Sequence, residues 1–286
     1  MTDTPVTDVA TPPAPPEPTF FEQLAARCQA LGGGLCVGLD PDPKRLPRHL
    51  GEGAAAVYHF CVEIIEATGE FAAAYKPNIA FFESMGAEGL HALKQVLAAV
   101  PKEIPVIVDA KRGDIGSTAR HYAEALYDDL GAGAVTLNPY MGRDSLEPFI
   151  ERKTRGAYIL CLTSNEGARD FQLQDDLYLR VARKVREWNT HANLGMVVGA
   201  TKPQYLTSIL AVAPNVPLLI PGLGAQGGEL EAIVAAAPGV PPHHLLFNVS
   251  RSILYAGEGK AFAQQARVAA RVYADQIREA LAKNAG

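Results

Sequence analysis

PVIVDAKRGDIGSTARHYAEALYDDLGAGAVTLNP, residues 105–139, holds one complete strand–turn–helix–strand unit. PVIVDAK (105–111) is a short β-branched run that ends on charge, as a buried strand emerging at a surface does. A glycine-bearing turn follows, then a helix-like stretch over 117–129, then a second apolar run, AVTLNP (134–139). Two strands joined through a helix are parallel neighbours in one sheet. The same rhythm extends outward in both directions. LCVGLD (35–40) and AAYKPN (73–78) precede the unit, and AYILCLTS (157–164), NLGMVVGA (193–200), VPLLIPG (216–222) and LLFNVSR (245–251) follow it. Between them, further helices are predicted at 86–99, 175–190, 228–236 and 259–283. Eight strands alternating with helices form an α/β chain, and eight is the number that closes a (β/α)8 TIM barrel. A doubly wound open sheet is the competing architecture, but it usually has fewer strands.

Residues 1–18, MTDTPVTDVATPPAPPEP, are Pro/Thr-rich and carry almost no large apolar side chain. Such a segment cannot bury enough surface to offset its ordering entropy, so it reads as a disordered tail. Residues 19–286 then form a single barrel domain, a size at which about three quarters of the unfolded surface is buried without help from disulfides. The four cysteines, Cys28, Cys36, Cys61 and Cys161, form no CxxC pair and no zinc-like spacing with histidine. They read as core thiols of a cytoplasmic protein, with no metal site. Net charge is −5, from 26 basic and 31 acidic residues, which argues against broad nucleic-acid or anionic-membrane binding. No apolar run reaches the roughly 18–20 residues of a membrane helix, and the N-terminus lacks the basic and apolar regions of a signal peptide.

In such barrels, chemistry sits at the carboxyl ends of the strands. Those ends carry Asp40, Lys76, Asp109 and Lys111, Asn138, Thr163 and Ser164, Gly222, and Asn248 with Arg251. The strand starts Leu35, Pro105, Ala134 and Val216 are bland by comparison. The densest cluster is VDAKRGDIGST (108–118). Asp109 and Lys111 are two apart on a strand and so leave one face, into the mouth. Val106, Val108 and Ala110 face the helices. Asp114 sits in the following turn, and Ser117 or Thr118 is placed to cap the next helix. With Lys76 on the neighbouring strand, the expected array is Lys76–Asp109–Lys111–Asp114. A purely structural ion pair is the bland alternative, but burying these charges together costs several kcal/mol. A second constellation suits an anion. IPGLGAQGGEL (220–230) sets Gly222, Gly224, Gly227 and Gly228 between strand seven and a helix, where backbone N–H groups attract phosphate. Arg251, just after strand eight, is a bidentate phosphate donor.

VDAKRGDIGST closely resembles the DxKxxD signature of the orotidine 5′-monophosphate decarboxylase family. LCVGLDPDP, YKPNIAFFE, TLNPYMGRDSLEPF, CLTSNEG, PGLGAQGG and NVSRSI resemble that family's segments in the same order, and look most like its longer bacterial branch (type 2). The signature alone is shared with sister barrels such as keto-gulonate phosphate decarboxylase and hexulose phosphate synthase. The resemblance implies a cofactor-free lyase that converts orotidine 5′-monophosphate to UMP and CO2 as a homodimer with shared active sites. Asp40 would bond the ribose hydroxyls, Lys76 would bridge ribose and Asp109, and Asp109 would face the substrate carboxylate. Lys111 would protonate C6. Asp114, accompanied by Thr118, would enter from the other subunit. Ser164, with Thr163 nearby, would read the pyrimidine, and Gln226 and Arg251 would bind phosphate. Asn138, Gly222 and Gly227 complete the expected substrate contacts. Two rivals are a Mg²⁺-dependent sister enzyme acting through an enediolate and a non-catalytic nucleotide-binding barrel.

Overall fold

The computed structural model describes residues 17–201, 203–223 and 228–284. Most of the expected tail, residues 1–16, lies outside the described residues, as do Gln226 and Gly227. All eight strands form within a residue or two of their expected ends: β1 (Leu35–Leu39), β2 (Ala74–Pro77), β3 (Ile107–Arg112), β4 (Ala134–Leu137), β5 (Gly156–Leu162), β6 (Leu194–Val198), β7 (Leu218–Pro221) and β8 (Leu245–Val249). They run parallel in the order β2-β1-β8-β7-β6-β5-β4-β3. Two single parallel bridges, Tyr75–Val106 and Asn78–Asp109, join β2 to β3 and close the ring. The (β/α)8 TIM barrel is therefore the observed fold.

The described helices are α1 (Phe20–Leu31), α2 (Gly53–Thr68), α3 (Ile79–Glu83), α4 (Gly86–Ala99), α5 (Gly116–Ala123), α6 (Glu147–Ile150), α7 (Leu177–Trp188), α8 (Pro203–Val212), α9 (Gly228–Ala235), α10 (Arg251–Leu254) and α11 (Phe262–Asn284). The helix expected over 117–129 is α5 continued by a wider π-helical stretch, Glu124–Asp129. Its start corrects one expectation. The residue before the first turn is Ile115, so Ser117 and Thr118 lie inside the helix and neither caps it. Gly116, at φ +55°, makes the bend that a Ser or Thr cap was expected to make.

Side-chain parity divides the interior in two. Val37, Tyr75, Val108, Val135 and Ile159 point outward into the larger cluster between sheet and helices. Cys36, Ala74, Ile107, Ala134, Tyr158, Leu219 and Leu246 point inward and fill the barrel with a second, smaller cluster. Helix α1 completes that inner cluster. Thr19 begins it with a capping box: its Oγ1 accepts the Glu22 N–H, and Glu22 Oε2 accepts the Thr19 N–H at 2.7 Å. Phe20 then packs edge-on against Tyr158, with ring centroids 6.2 Å apart. Gly156 must lack a side chain here, since a Cβ would come within 2.5 Å of the Phe20 ring. The amino-terminal end of the barrel is thus packed shut by α1, and the carboxyl end is left open.

Phe20 is 3% exposed. Phe20→Ala leaves a cavity beneath the inner cluster and is expected to cost about 3–5 kcal/mol of stability in a urea melt. The arrangement at the far end should survive in the molecules that remain folded. A loss under about 1 kcal/mol would mean that α1 does not plug the barrel.

Candidate functional site

The open end is built on Asp109. This carboxylate lies near the end of β3, with its side chain 10% exposed. Its Oδ2 accepts from Lys76 Nζ at 2.9 Å, across the β2–β3 seam. Its Oδ1 accepts from Lys111 Nζ at 2.6 Å and from the Thr136 hydroxyl at 2.8 Å. Thr136 Oγ1 in turn accepts the Lys111 N–H at 3.0 Å. Burial alone would raise the Asp109 carboxyl. The Lys76 and Lys111 ammonium groups and their hydrogen bonds outweigh it and hold the group well below the usual carboxylate range. Burial would likewise lower Lys76, but Asp109 and Asp40 raise it above its ordinary value. Both members of the buried pair therefore stay charged.

Lys111 reaches this arrangement by an unusual backbone. The β3–β4 register shifts between Val108 and Arg112, and Lys111 sits in the shift at φ +48°. That left-handed conformation is costly for a residue with a Cβ and is held here by the Thr136 hydroxyl and the Asp109 carboxylate. Lys111 and Asp109 do converge on the mouth, through a bulge rather than simple strand alternation. Unlike Lys76, the Lys111 side chain is about half exposed, so its ammonium faces the opening.

A cavity of about 280 Å³ opens above these charges. Lys76, Asp109, Lys111 and Thr136 line one side of it, and Thr163, Ser164 and Asn165 the other. Leu160, Val197, Leu219 and Pro221 form apolar wall. Thr163 is fixed by Gln172, whose Oε1 accepts the Thr163 N–H at 2.7 Å. Gly222, at φ +97°, brings the chain back beside Ser164, where a Cβ would stand 3.8 Å from the Ser164 hydroxyl.

The remaining expected residues stand apart from this cavity. Asp40 is half-buried at the end of β1, and its Oδ1 has no hydrogen-bond partner among the described residues. Asp114 is half-buried and its Oδ1 accepts the Ile115 N–H at 2.8 Å, so within one chain it does not join the Lys76–Asp109–Lys111 array. Thr118 is exposed on α5. Asn138 is exposed, and its Oδ1 caps the Tyr140 N–H at 3.1 Å. Arg251 is exposed at the start of α10. Sequence reasoning missed Thr136, although its parity with inward-facing Ala134 marks it as a mouth residue. It also missed Gln172, which carries no signal in the chain.

All four cysteines are buried. Burial pushes the thiols of Cys28, Cys36 and Cys161 up to about 12, which leaves them protonated and unreactive. Among the described residues, no three His, Cys, Asp or Glu side chains gather as metal ligands. No helix among them is long and apolar enough to cross a membrane.

Comparison with known proteins adds the following. Residues 33–266 match the orotidine 5′-phosphate decarboxylase / HUMPS family. The orotidine 5′-phosphate decarboxylase of Roseiflexus sp. is 49% identical over 269 residues, 92% of this chain and 98% of the relative. That of Herpetosiphon aurantiacus is 48% identical over 260 residues, 89% of this chain and 96% of the relative. Among solved structures, the Leishmania donovani OMP decarboxylase superposes with a TM-score of 0.81 at 41% identity, covering 92% of this chain and 98% of that one.

The site predicts its own pH signature. Because Asp109 titrates well below the ordinary carboxylate range when folded, its contribution to stability is present above about pH 4 and is lost as pH falls below that value. Thr136→Val removes one bond to the ionised form and should cost about 1–2 kcal/mol at pH 7. In urea melts at pH 7 and at pH 3 that gap should be the same, because the folded carboxyl is still ionised at both, while Thr136→Ser, which keeps the hydroxyl, stays near the parent. A Thr136→Ser variant as destabilised as Thr136→Val would assign the loss to packing instead.

Proposed function

The chain belongs to the orotidine 5′-phosphate decarboxylase / HUMPS family, and from that premise we propose how its mouth residues perform the reaction. The enzyme is a carboxy-lyase that converts orotidine 5′-monophosphate to UMP and CO2 in de novo pyrimidine synthesis. Relatives sharing nearly half their residues with it carry that name, which favours this chemistry over a metal-dependent sister reaction.

The observation that carries the mechanism is Asp109 held ionised between two ammonium groups and a hydroxyl. The substrate's carboxylate lies beside Asp109. Two like charges about 3–4 Å apart cost roughly 4–5 kcal/mol at an effective dielectric of about 20. Release of CO2 removes that repulsion and leaves a carbanion at C6, which the ring delocalises poorly. Lys111 stabilises the growing negative charge and then delivers its proton to C6, so the charge of the transition state is met by groups already in place. The rigid pairing of Asp109 points to stabilisation of the transition state as the larger effect, with ground-state stress the smaller. Lys76 holds Asp109 and reaches the ribose. Ser164 and Thr163 meet the pyrimidine across the cavity, supported by Gly222 and the neighbouring Asn138 turn. Arg251, Gln226 and Gly227 take the phosphate, whose distant contacts supply binding energy that orients the ring. Asp40 bonds the ribose.

The active unit is a homodimer of barrel domains, each spanning 19–286. Asp114 and Thr118 act in the partner's mouth, beside its Lys111. Supporting this, Ile115, Tyr140, Met141 and Phe171 are large exposed apolar side chains on the loops after β3, β4 and β5, at the same rim. Such a rim patch suits a self-complementary two-fold contact. The four buried thiols suit the reducing cytoplasm.

Lys111→Ala should lose essentially all turnover in a UV assay of orotidylate loss while still binding UMP, with EDTA leaving the parent enzyme unaffected. Near-normal decarboxylation by the variant would remove Lys111 as the proton donor. A mixture of Asp114→Ala chains with Lys111→Ala chains should recover activity that neither has alone, because one site of each mixed dimer keeps both residues. Absence of recovery would place Asp114 in its own subunit's site.

A further inference from the structure

Between Pro221 and Lys76, which both line the cavity, the barrel wall is formed by β8 and β1. Asn248 on β8 is in register with Pro221 on one side and Cys36 on the other. It points inward, since Leu246 fills the inner cluster and Phe247 the outer one. Gly38 on β1 is in register with Lys76. Gly38 lets Ser250 lie tight against β1: a Cβ there would stand 2.7 Å from Ser250 Cβ and 3.3 Å from Asn248 Oδ1.

Three buried polar atoms on these two strand ends have no hydrogen-bond partner among the described residues: Asp40 Oδ1, Asn248 Oδ1 and Ser250 Oγ. Asn248 is only 6% exposed. Leaving such atoms unpaired costs about 1–3 kcal/mol each. Ser250 forgoes an ordinary local bond as well. It stands at the N-cap position of α10, yet its side chain caps no N–H and lies against Gly38. Two of the three are acceptors only, and the third can accept. Asp40 Oδ1 and Asn248 Oδ1 therefore each lack a hydrogen-bond donor. A phosphate dianion offers only acceptors, whereas each ribose hydroxyl can donate.

We propose that Asn248 and Ser250 join Asp40 in a wall that reads the sugar hydroxyls of the substrate, which makes the two residues determinants of ribonucleotide over deoxyribonucleotide selectivity. The proposal rests on the decarboxylase reading above and extends it to two residues outside the charged array. Asn248 lies beside cavity-lining Pro221, and Ser250 packs on Gly38 beside cavity-lining Lys76, so a sugar edge on this side of the cavity would meet the carboxamide and the Ser250 hydroxyl. These contacts orient the nucleotide and take no part in proton transfer.

The test measures kcat and KM for orotidine 5′-monophosphate and for its 2′-deoxy and 3′-deoxy analogues. The parent enzyme, Asn248→Leu and Ser250→Ala are compared, with the affinity of each for UMP and 2′-deoxy-UMP from calorimetry. In each variant, kcat/KM for the ribonucleotide should fall about tenfold, mostly through KM, with a much smaller change for at least one deoxy analogue. Ser250→Ala removes one oxygen atom and guards against a folding defect in Asn248→Leu. If both variants weaken all three substrates equally, the residues serve packing or bind water only, and the proposal falls. CO2 release by the parent enzyme tests the decarboxylase reading by itself. Should that fail, the UMP to 2′-deoxy-UMP affinity ratio still decides whether the wall reads hydroxyls.

Discussion

A single carboxylate, Asp109, holds the working end of this barrel together. It is nearly buried, it is ionised, and every bond it accepts comes from a different strand or from within a bulge. Remove its charge and Lys76 becomes an unpaired ammonium inside the protein, a fault of about 3–5 kcal/mol in comparable buried pairs. The same carboxylate helps Thr136 hold Lys111 in a backbone conformation that this residue type avoids. Stability and chemistry are therefore tied at one point. The charges that would be expensive in an empty core are fixed by the sheet, so little reorganisation remains when a substrate arrives.

The barrel makes this possible by giving its two ends different work. At the amino-terminal end, Phe20, Tyr158 and small inward residues such as Ala74 and Ala134 fill the axis. At the carboxyl end, the same strands present Lys76, Asp109 and Thr136 one step further along. Strand alternation carries each inward position from packing to chemistry within two residues.

Most of this was legible in the chain because strands covered on both faces read as continuous apolar runs, and their ends turn abruptly polar. Lys76, Asp109, Lys111, Thr163 and Ser164 were picked out on that ground, and the fold gathers them around one cavity. What escaped was local backbone geometry. Nothing in AKRGD announces that Lys111 lies in a bulge with positive φ, since that conformation is imposed by Thr136 from another strand. The start of α5 was misplaced because glycine, rather than a hydroxyl cap, makes the turn there. Asn138, polar and at a strand end, faces its own turn instead of the cavity. Asp114 is set apart from Lys111 within one chain, a distinction that a motif read along a line does not contain.

The closure of one end by α1 bears on traffic. With Phe20 and Tyr158 packed edge-to-face across the axis, the described residues fill the amino-terminal end of the barrel. On the proposed mechanism the nucleotide would enter and leave by the open carboxyl end, and the gas released beneath it would share that doorway. With the ring over Asp109, carbon dioxide would find no separate exhaust among the described residues, and its escape and the delivery of the proton would compete within the same small space.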